Sequence, residues 1–380
     1  MRADQAESDG AGGRDPASLA VLLVGYPLAP VGPDAVGGAE QILALIDEAL
    51  AAQGHRSFVV APEGSMCRGK LLATPLPRGP FDDAAKRRAQ RWHRAMIARA
   101  LRDLPIDLVH LHGVDFDRYL PDPGPPVLAT LHLPVSFYPP SVFRLERPAT
   151  FLHGVSASQS ATFPEDAFVL PEIPNGIALD RCRFGARKHG FAIALGRICP
   201  EKGYHLALEA ATRASVPLFL AGSVYPYEAH ERYFREAIAP RLGDGHRFVG
   251  PIGSARKRHL LSGARCLLVP SLVAETSSLV AMEALASGTP VIAFRRGALP
   301  EIVEHGVTGF LVDGVDEMAD AIAATETIDP LACRRAAEER FSAERMTQAY
   351  VETYAGVIRA ARCASSIAST IEPQGRRAAG

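Results

Sequence analysis

Two carboxylates stand eight positions apart in the stretch 270–292, where a predicted strand end passes into a predicted helix. Glu275 falls in the loop after the apolar run Arg265–Val269, and Glu283 falls about one and a half turns into the helix that begins near Ser278. Apolar residues flank Glu283, so its carboxylate needs polar partners. Ribose hydroxyls would satisfy it without adding charge. The structural alternatives are a salt bridge or cap for Glu283 and a solvated loop for Glu275.

Two cations follow another apolar run, Phe191–Leu195, on a loop that leads into a predicted helix. Arg197 and Lys202 lie in the segment Gly196–Gly203, five positions apart. A guanidinium and an ammonium at the start of a helix can hold two phosphates from different sides. The alternative is a pair of solvated surface charges.

Paired glycines, Gly37 and Gly38, separate the first apolar run, Leu19–Gly25, from the helical pattern Ala39–Ala52. Glycines at a helix start let backbone N–H groups approach an anion, which the helix dipole also favours. The loop is neither a Walker loop, since no Gly-Lys-Ser/Thr follows, nor a G-x-G-x-x-G pattern. Tight-turn glycines are the structural alternative.

Short apolar runs alternate with helical patterns along the whole chain, which indicates parallel sheets flanked by helices. Runs that are apolar throughout must be covered on both faces, so we expect two doubly wound α/β domains in series. The further predicted strands are Arg56–Ala61, Leu108–His112, Val127–His132, Leu152–Ser156, Pro217–Ala221, Arg247–Val249, Pro290–Ala293 and Gly309–Val312. The further predicted helices are Gly203–Arg213, Glu228–Ile238, Leu279–Ser287, Val315–Thr325 and Ala343–Arg362.

A proline-rich, non-periodic stretch around Pro164–Gly176 places the join between the two domains. We expect a disordered N-terminus (1–17), an N-terminal domain that binds the acceptor (18–165), a linker (166–188), a C-terminal domain that binds the donor (189–342), a C-terminal helix (343–363) and a disordered tail (364–380). Ligands of open α/β sheets bind beyond the carboxyl ends of the strands, which predicts a site in the cleft between the domains.

The composition excludes several classes of protein. The 380 residues carry 41 Lys+Arg and 42 Asp+Glu, a net charge of −1, which argues against nucleic acid as a partner. The six cysteines are scattered, without a Cys-x-x-Cys pair or a Cys/His cluster, so we expect reduced thiols, no zinc site and a cytoplasmic location. No apolar run approaches the ~20 residues of a membrane span.

Together these motifs resemble the retaining glycosyltransferases of family 4, which have the GT-B fold of two facing Rossmann-like domains. The resemblance covers roughly residues 19–355, with the motifs in family order. The matching segments are Glu275-x7-Glu283, Gly196-Arg197-x4-Lys202-Gly203, Ile173–Ile177, Gly37–Glu40 and Gly297–Val303.

The resemblance implies a nucleoside diphosphate sugar as donor, with Arg197 and Lys202 neutralising the diphosphate leaving group. It implies that Glu283 accepts hydrogen bonds from the donor ribose and that Glu275 contacts the donor sugar. It implies that His132 reaches the sugar and the acceptor; a buried, hydrogen-bonded histidine is the structural alternative. The other implied donor-binding positions are Gly37, Gly38, Ser223, Pro251, Ile252, Ser277, Ser278, Leu279 and Val280.

The resemblance also implies retention of the anomeric configuration, with a departing phosphate oxygen taking the proton of the attacking hydroxyl. No catalytic metal and no cofactor beyond the donor are expected, and a uridine diphosphate sugar is the donor that the family favours. The chain departs from the family where Thr276-Ser277-Ser278 replaces the usual Gly-Phe-Gly after the first glutamate, and where Ala298 replaces a glycine. The first change adds side chains near the donor sugar and leaves its identity open.

We expect the acceptor to be a small molecule, a glycan or a lipid-linked group. A basic amphipathic segment at 85–102 could lie on an anionic membrane surface, at the inner face of the membrane, and present such a lipid. The favoured alternative packs its Ala-rich stripe into the N-terminal domain. Two other functions stay open: a sugar-nucleotide epimerase of the same fold, and a non-catalytic protein that binds nucleotide sugars.

Overall fold

The computed structural model describes residues 18–371, apart from 78, 80, 81 and 244, with side chains up to 364. The predicted N-terminus, 1–17, and residues 372–380 of the predicted tail, 364–380, lie outside the described residues. The strands are β1 Ala20–Val24, β2 Arg56–Pro62, β3 Lys70–Thr74, β4 Leu108–Leu111, β5 Val127–Thr130, β6 Thr150–His153, β7 Val169–Leu170, β8 Ala192–Leu195, β9 Leu218–Ala221, β10 Arg247–Gly250, β11 Cys266–Val269, β12 Val291–Phe294 and β13 Gly309–Val312. The α-helices are α1 Gly38–Ala52, α2 Asp83–Asp103, α3 Ala157–Ser160, α4 Tyr204–Arg213, α5 Glu228–Tyr233, α6 Ser254–Gly263, α7 Leu279–Ala286, α8 Leu299–Ile302, α9 Val315–Ala324, α10 Pro330–Arg340 and α11 Ala343–Ile371.

The strands form two parallel sheets, which confirms the two doubly wound α/β domains. The first sheet has the order β3-β2-β1-β4-β5-β6-β7, and the second has the order β10-β9-β8-β11-β12-β13. In each sheet the chain runs outward on one side and then returns to continue on the other side of its first strand. This reversal opens a crevice at the carboxyl ends, between β1 and β4 and between β8 and β11.

Burial explains why the apolar runs become strands. All five residues of β1 and all four residues of β4, β8 and β11 are buried. Separate apolar clusters cover the two faces of each sheet, so every central strand gains from side chains packed on both sides. Every predicted strand is present, within three residues at its ends, and the largest difference is at β6, which ends at His153 instead of Ser156.

Two strands were not predicted. β3 carries the mixed sequence Lys-Leu-Leu-Ala-Thr at the edge of the first sheet, and β7 has only two residues at the opposite edge. Edge strands are only partly covered, so they need no continuous apolar run. The strand β7 lies inside the predicted linker, and it extends the first sheet to Leu170.

The C-terminal helix α11 returns from the second domain to the first. Its Met346, Tyr350, Tyr354 and Val357 are buried in the apolar cluster that also covers β1 and helix α1. The prediction ended this helix at 363, but the helix runs to Ile371, so the tail was assigned eight residues too early. The run from Ala364 to Ile371 contains no Gly or Pro, and the helix therefore continues through it.

The basic helix α2 packs its apolar stripe into the N-terminal domain. Ala85, Ala89, Ile97 and Ala100 are buried, with Ile97 and Ala100 in the core beneath the sheet. Within the described residues, no helix has the length and apolar character that a membrane span requires.

Candidate functional site

The predicted donor-binding loops of the second domain meet at its strand-order reversal. One loop follows β8 and carries Arg197 and Lys202, and the other follows β11 and carries Glu275. Because β8 and β11 are neighbours, their carboxyl ends bring the two loops side by side. Two motifs that are far apart in the sequence thus reach one edge of the sheet.

Lys202 and Glu275 form an ion pair. The Lys202 Nζ donates to Glu275 Oε1 at 2.6 Å, and the Ser271 hydroxyl donates to the same oxygen at 2.6 Å. The side chains of Lys202 and Glu275 are 28% and 11% exposed, so water screens the pair only in part. A diphosphate at this loop would have to share or replace the contact between Lys202 and Glu275.

Gly203 closes the Lys202 turn with a left-handed backbone, at φ 65°. A Cβ at this position would lie 2.2 Å from the carbonyl oxygen of Pro270. Only glycine fits, because the two loops approach each other backbone to backbone. The glycine that ends the cationic motif therefore sets the distance between the two loops.

Arg197 is exposed, and no described carboxylate forms a salt bridge with it. Burial, with a further contribution from the Arg197 charge, lowers the pKa of His230. The guanidinium is therefore available to an anion that enters the cleft.

One group of three side chains within the described part of the chain could hold a metal ion. Cys199, Glu201 and His230 offer ligand atoms within 4.8 Å of one another. Burial raises the pKa of the Cys199 thiol, which opposes the thiolate that a metal would need. The expectation of a metal-independent reaction stays a prediction.

Glu283 forms an ion pair with a residue that the sequence did not single out. Lys257 Nζ donates to Glu283 Oε1 at 2.7 Å, with the two side chains 26% and 17% exposed. Lys257 lies on α6, which begins two residues after the predicted donor-binding position Ile252. A cation one helical turn after Gly253 is the sequence signal that could have identified Lys257. That signal is weak, because α6 buries only two residues and has no apolar stripe.

The pair lines a pocket between the domains, together with Leu279 of the second domain and Pro33 and Gln41 of the first. The pocket measures about 70 Å³, whereas small-molecule sites commonly measure about 300–1,000 Å³. A nucleoside at Glu283 therefore requires the cleft to widen.

The first turn of α7 faces the first domain. A Cβ on Gly38 would lie 3.4 Å from the Leu279 side chain, so the beginnings of α1 and α7 abut. Ser278 is the N-cap of α7, and its side chain makes no capping hydrogen bond. The Ser277 hydroxyl is buried without a hydrogen-bond partner among the described residues and borders a second interdomain pocket of about 340 Å³. Val280, half-buried in the same turn, lies beside them.

Gly37 is the N-cap of α1, and the Glu40 carboxylate folds back over it. A Cβ on Gly37 would lie 1.9 Å from Glu40 Oε2. Burial raises the pKa of the Glu40 carboxyl. The paired glycines therefore lie at the positive end of the α1 dipole and also next to the Glu40 carboxylate.

His132 follows β5 and lies at the contact between the domains. Its carbonyl oxygen accepts a hydrogen bond from the Thr276 hydroxyl at 2.7 Å, and its Nε2 lies 2.9 Å from His112 Nδ1. Burial, with a further contribution from His153, lowers the pKa of His132 to about 3. The residue as a whole is half-buried.

The remaining predicted positions lie at the ends of β9 and β10. The Ser223 carbonyl oxygen accepts from the Ile198 N–H at 3.0 Å, which ties the loop after β9 to the Arg197 loop. Pro251 is exposed and Ile252 is half-buried after β10. These residues form the outer side of the same sheet edge.

Two further contacts hold the domains together. Glu301 accepts hydrogen bonds from the N–H groups of Ala157 and Ser158 at 3.1 and 2.7 Å, and the Ser254 hydroxyl donates to Asp34. The sequence matched Glu301 to a motif but gave it no role. Each of these contacts therefore joins one domain to the other.

Comparisons with known proteins agree with this architecture. The family described as Glycosyl transferases group 1 matches residues 184–340, and the family described as Glycosyltransferase Family 4 matches residues 36–181. The phosphatidyl-myo-inositol mannosyltransferase of Mycobacterium leprae is 26% identical over 337 residues, which cover 78% of this chain and 86% of that protein.

The D-inositol 3-phosphate glycosyltransferase of Kribbella flavida is 37% identical over 172 residues. This alignment covers 41% of the chain, and the chain spans only about two fifths (40%) of that relative. Among solved structures, the chain is similar to AviGT4, a glycosyltransferase involved in avilamycin A biosynthesis, with a TM-score of 0.66 and 26% identity. The match covers 90% of this chain and 98% of AviGT4.

Proposed function

Because the chain belongs to the family 4 glycosyltransferases, with the GT-B fold, we propose that it moves a sugar from a nucleoside diphosphate sugar to an acceptor hydroxyl. The transfer retains the anomeric configuration and needs no metal ion. A uridine diphosphate sugar is the proposed donor. The observation that supports this proposal best is the convergence of Arg197, Lys202 and Glu275 on one sheet edge, opposite Gly38 and His132 of the first domain.

In this proposal Arg197 and Lys202 bind the diphosphate and stabilise the charge that develops as it leaves. Lys202 exchanges its contact with Glu275 for a phosphate oxygen, which frees a Glu275 oxygen for a hydroxyl of the donor sugar. Glu283 keeps Lys257 on one oxygen and accepts from the ribose with the other. The N–H groups at the start of α7 and α1 face the anion.

The reaction requires the protein mainly to position the two substrates and to stabilise charge electrostatically. The acceptor hydroxyl attacks on the face from which the diphosphate leaves, and a leaving phosphate oxygen takes its proton. The C–O bond to the diphosphate breaks as the new glycosidic C–O bond forms. No protein nucleophile is required, since alignment of the two substrates supplies much of the rate enhancement.

A thermal-shift panel tests the donor site. Uridine, guanosine and adenosine diphosphates and their sugars are added to the protein, and a bound compound should raise the melting temperature. Arg197→Ala should abolish the rise, whereas Arg235→Ala, an exposed arginine paired with Glu236 in the same domain, should keep it. A rise that survives Arg197→Ala would overturn the assignment of the diphosphate site.

We further propose a polyol hydroxyl as the acceptor, bound by the first domain. The support is that the names of two relatives both contain inositol. Transfer of labelled sugar to inositol 3-phosphate, or to phosphatidylinositol in vesicles, would separate a water-soluble acceptor from a lipid-linked one. Because α2 buries its apolar stripe, vesicle binding should be weak and should vanish at high salt. Salt-resistant flotation would instead indicate membrane insertion.

Turnover separates the proposal from its alternatives. Hydrolysis of the donor in the absence of an acceptor, or formation of a glycoside of retained configuration, indicates a transferase. A product that is an epimer of the added sugar nucleotide indicates an epimerase. Binding of the donor with neither product indicates a binding protein.

A further inference from the structure

A line of buried polar side chains connects a backbone carbonyl to His132. His153 Nδ1 lies 2.8 Å from the Gly154 carbonyl oxygen, and His153 Nε2 lies 2.7 Å from the Thr130 hydroxyl. The same hydroxyl lies 2.7 Å from His110 Nε2. His110 Nδ1 lies 3.2 Å from His112 Nε2, and His112 Nδ1 lies 2.9 Å from His132 Nε2.

The carbonyl fixes the first proton of this line. A carbonyl oxygen can only accept, so His153 Nδ1 must carry the hydrogen. Burial lowers the pKa of His153 to about 4, which keeps its ring neutral at pH 7. A neutral imidazole has one N–H, so His153 Nε2 is an acceptor and takes the proton of the Thr130 hydroxyl.

The same reasoning determines His110. The Thr130 hydroxyl has given its single proton to His153, so toward His110 Nε2 it can only accept, and His110 Nε2 carries a hydrogen. Burial also lowers the pKa of His110, so this ring is neutral and its Nδ1 is an acceptor. The Tyr354 hydroxyl lies 2.7 Å from that nitrogen and donates to it.

His112 and His132 follow. Two unprotonated nitrogens 3.2 Å apart would repel each other, so His112 Nε2 donates to His110 Nδ1 and shares the single lone pair of that nitrogen with the Tyr354 hydroxyl. Burial lowers the pKa of His112, and its neutral ring therefore turns a lone pair at Nδ1 toward His132. His132 Nε2 must then carry the hydrogen.

We propose that this line fixes His132 as the Nε2–H tautomer, so that its Nδ1 lone pair accepts a hydrogen bond from a substrate hydroxyl in the cleft. No described residue hydrogen bonds to that nitrogen. The tautomer follows from the line alone, whereas the substrate hydroxyl rests on the proposed function. Thr130, His153, His110 and His112 are positioning residues, and only His132 touches the substrate.

The opposite proton order fails at the carbonyl. It would require hydrogens on both nitrogens of His153, which is an imidazolium in a site where the ring has no exposed surface. The Gly154 carbonyl oxygen therefore sets the direction of donation along the whole line. Three hydrogen bonds connect this oxygen to His110, and two more connect His110 through His112 to His132. A chain of this kind transmits polarity because each neutral ring is both a donor and an acceptor.

Nitrogen-15 spectra of histidine-labelled protein at pH 7 test the tautomer without any substrate. In the Nε2–H form, the protonated nitrogen couples to both ring protons and the unprotonated nitrogen couples mainly to one. The signals of His132 are assigned by their loss in His132→Gln. The expected result is a pyrrole-type Nε2 and a pyridine-type Nδ1 for His132.

Thr130→Val removes the hydroxyl that passes the polarity from His153 to His110. His110 can then place its hydrogen on Nδ1, and His132 should show a mixed or inverted tautomer. Tyr350→Phe is the matched control, since it removes a buried hydroxyl 3.4 Å from Thr130 that does not lie on the line. It should leave the His132 signals unchanged.

A second pair of variants covers the case in which Thr130→Val does not fold. His153→Gln keeps an N–H for Gly154 and an acceptor for Thr130, so it should keep the tautomer, whereas His153→Leu should lose it. An Nδ1–H tautomer in the unmodified protein, or an unchanged tautomer in both Thr130→Val and His153→Leu, would overturn the proposal.

Sugar transfer is measured separately from the tautomer. If the protein transfers sugar, Thr130→Val should lower kcat tenfold or more while nucleotide binding in the thermal-shift panel is unchanged. If no donor binds at all, the proposed function fails while the tautomer remains measured. If donor transfer proceeds normally in a variant with an inverted tautomer, the hydroxyl contact at Nδ1 is wrong.

Discussion

The Lys202 ammonium lies 2.6 Å from the Glu275 carboxylate, although the two residues are 73 positions apart in the sequence. The cation proposed for the diphosphate and the carboxylate proposed for the sugar are thus partners before any donor arrives. Each holds the other in place at the carboxyl ends of β8 and β11. Donor binding then becomes an exchange of partners within a site that is already arranged.

The strength of this pair can be measured with a double-mutant cycle. We expect Lys202→Met and Glu275→Gln to show a coupling free energy of about 1–2 kcal/mol in urea unfolding, because the pair is only partly screened by water. The Arg99–Asp103 pair on α2, with side chains 69% and 47% exposed, is the control and should couple by less than about 0.5 kcal/mol. Equal coupling in the two cycles would contradict this view of the site.

Lys257 should contribute to nucleotide binding and not only to the stability of the fold. Lys257→Gln removes the cation that orients Glu283, so we expect the affinity for the nucleoside diphosphate to fall about tenfold, the equivalent of about 1.4 kcal/mol. Arg256→Gln, an exposed neighbour on the same helix, should change the affinity little. Isothermal titration calorimetry measures both. If the two variants bind alike, Lys257 has no role in binding.

Gly203 is required by backbone geometry. Gly203→Ala places a Cβ against the Pro270 carbonyl at a left-handed φ, which should lower the free energy of unfolding by roughly 2–4 kcal/mol. Gly190→Ala is the control, since nothing lies within 4 Å of a Cβ there. The melting temperatures of the two variants give the comparison. A fully stable Gly203→Ala protein would show that the two loops can separate.

The buried histidines make stability depend on pH. The unfolded chain protonates His153 near pH 6.5, whereas the folded chain does not until about pH 4. In that window the unfolded state binds more protons, so stability falls as the pH falls. For His153 alone the loss between pH 7.5 and pH 5.5 is about 1.4 kcal/mol.

Urea unfolding at the two pH values measures this loss. His153→Gln should reduce the pH dependence by that amount, and His259→Gln, which replaces an exposed histidine, should leave it unchanged. Identical pH profiles for the unmodified protein and His153→Gln would mean that His153 is protonated equally in both states.

The fold could be read from the sequence because its central strands are apolar throughout. A parallel strand covered on both faces needs apolar residues at every position, as in β1, β8 and β11, and such runs separate clearly from the helical patterns between them. The loops that follow these strands must lie at the carboxyl edge of the sheet. This is why the sequence alone predicts that the motifs around Arg197 and Glu275 lie at the carboxyl edge of a sheet.

Partners that depend on packing could not be read in the same way. Lys257 meets Glu283 from a helix without an apolar stripe, so nothing in its local sequence fixes which way that side chain faces. Likewise α11 continues to Ile371 and crosses to the first domain because Tyr350 and Tyr354 find a buried site there, 220 and 244 positions from Thr130 and His110.

The sequence by itself determined the two α/β domains and the charged loops that follow their strands at the cleft. These features follow from the local hydrophobic period and from the direction of the chain. Only the tertiary structure decided which of those charges pair and which proton each histidine carries. Thr130 and His153 face each other through the register of β5 with β6, and no local pattern specifies that register to the atom. Hydrogen bonds depend on distances of a few tenths of an ångström, and those are set when the two sheets and α11 pack together.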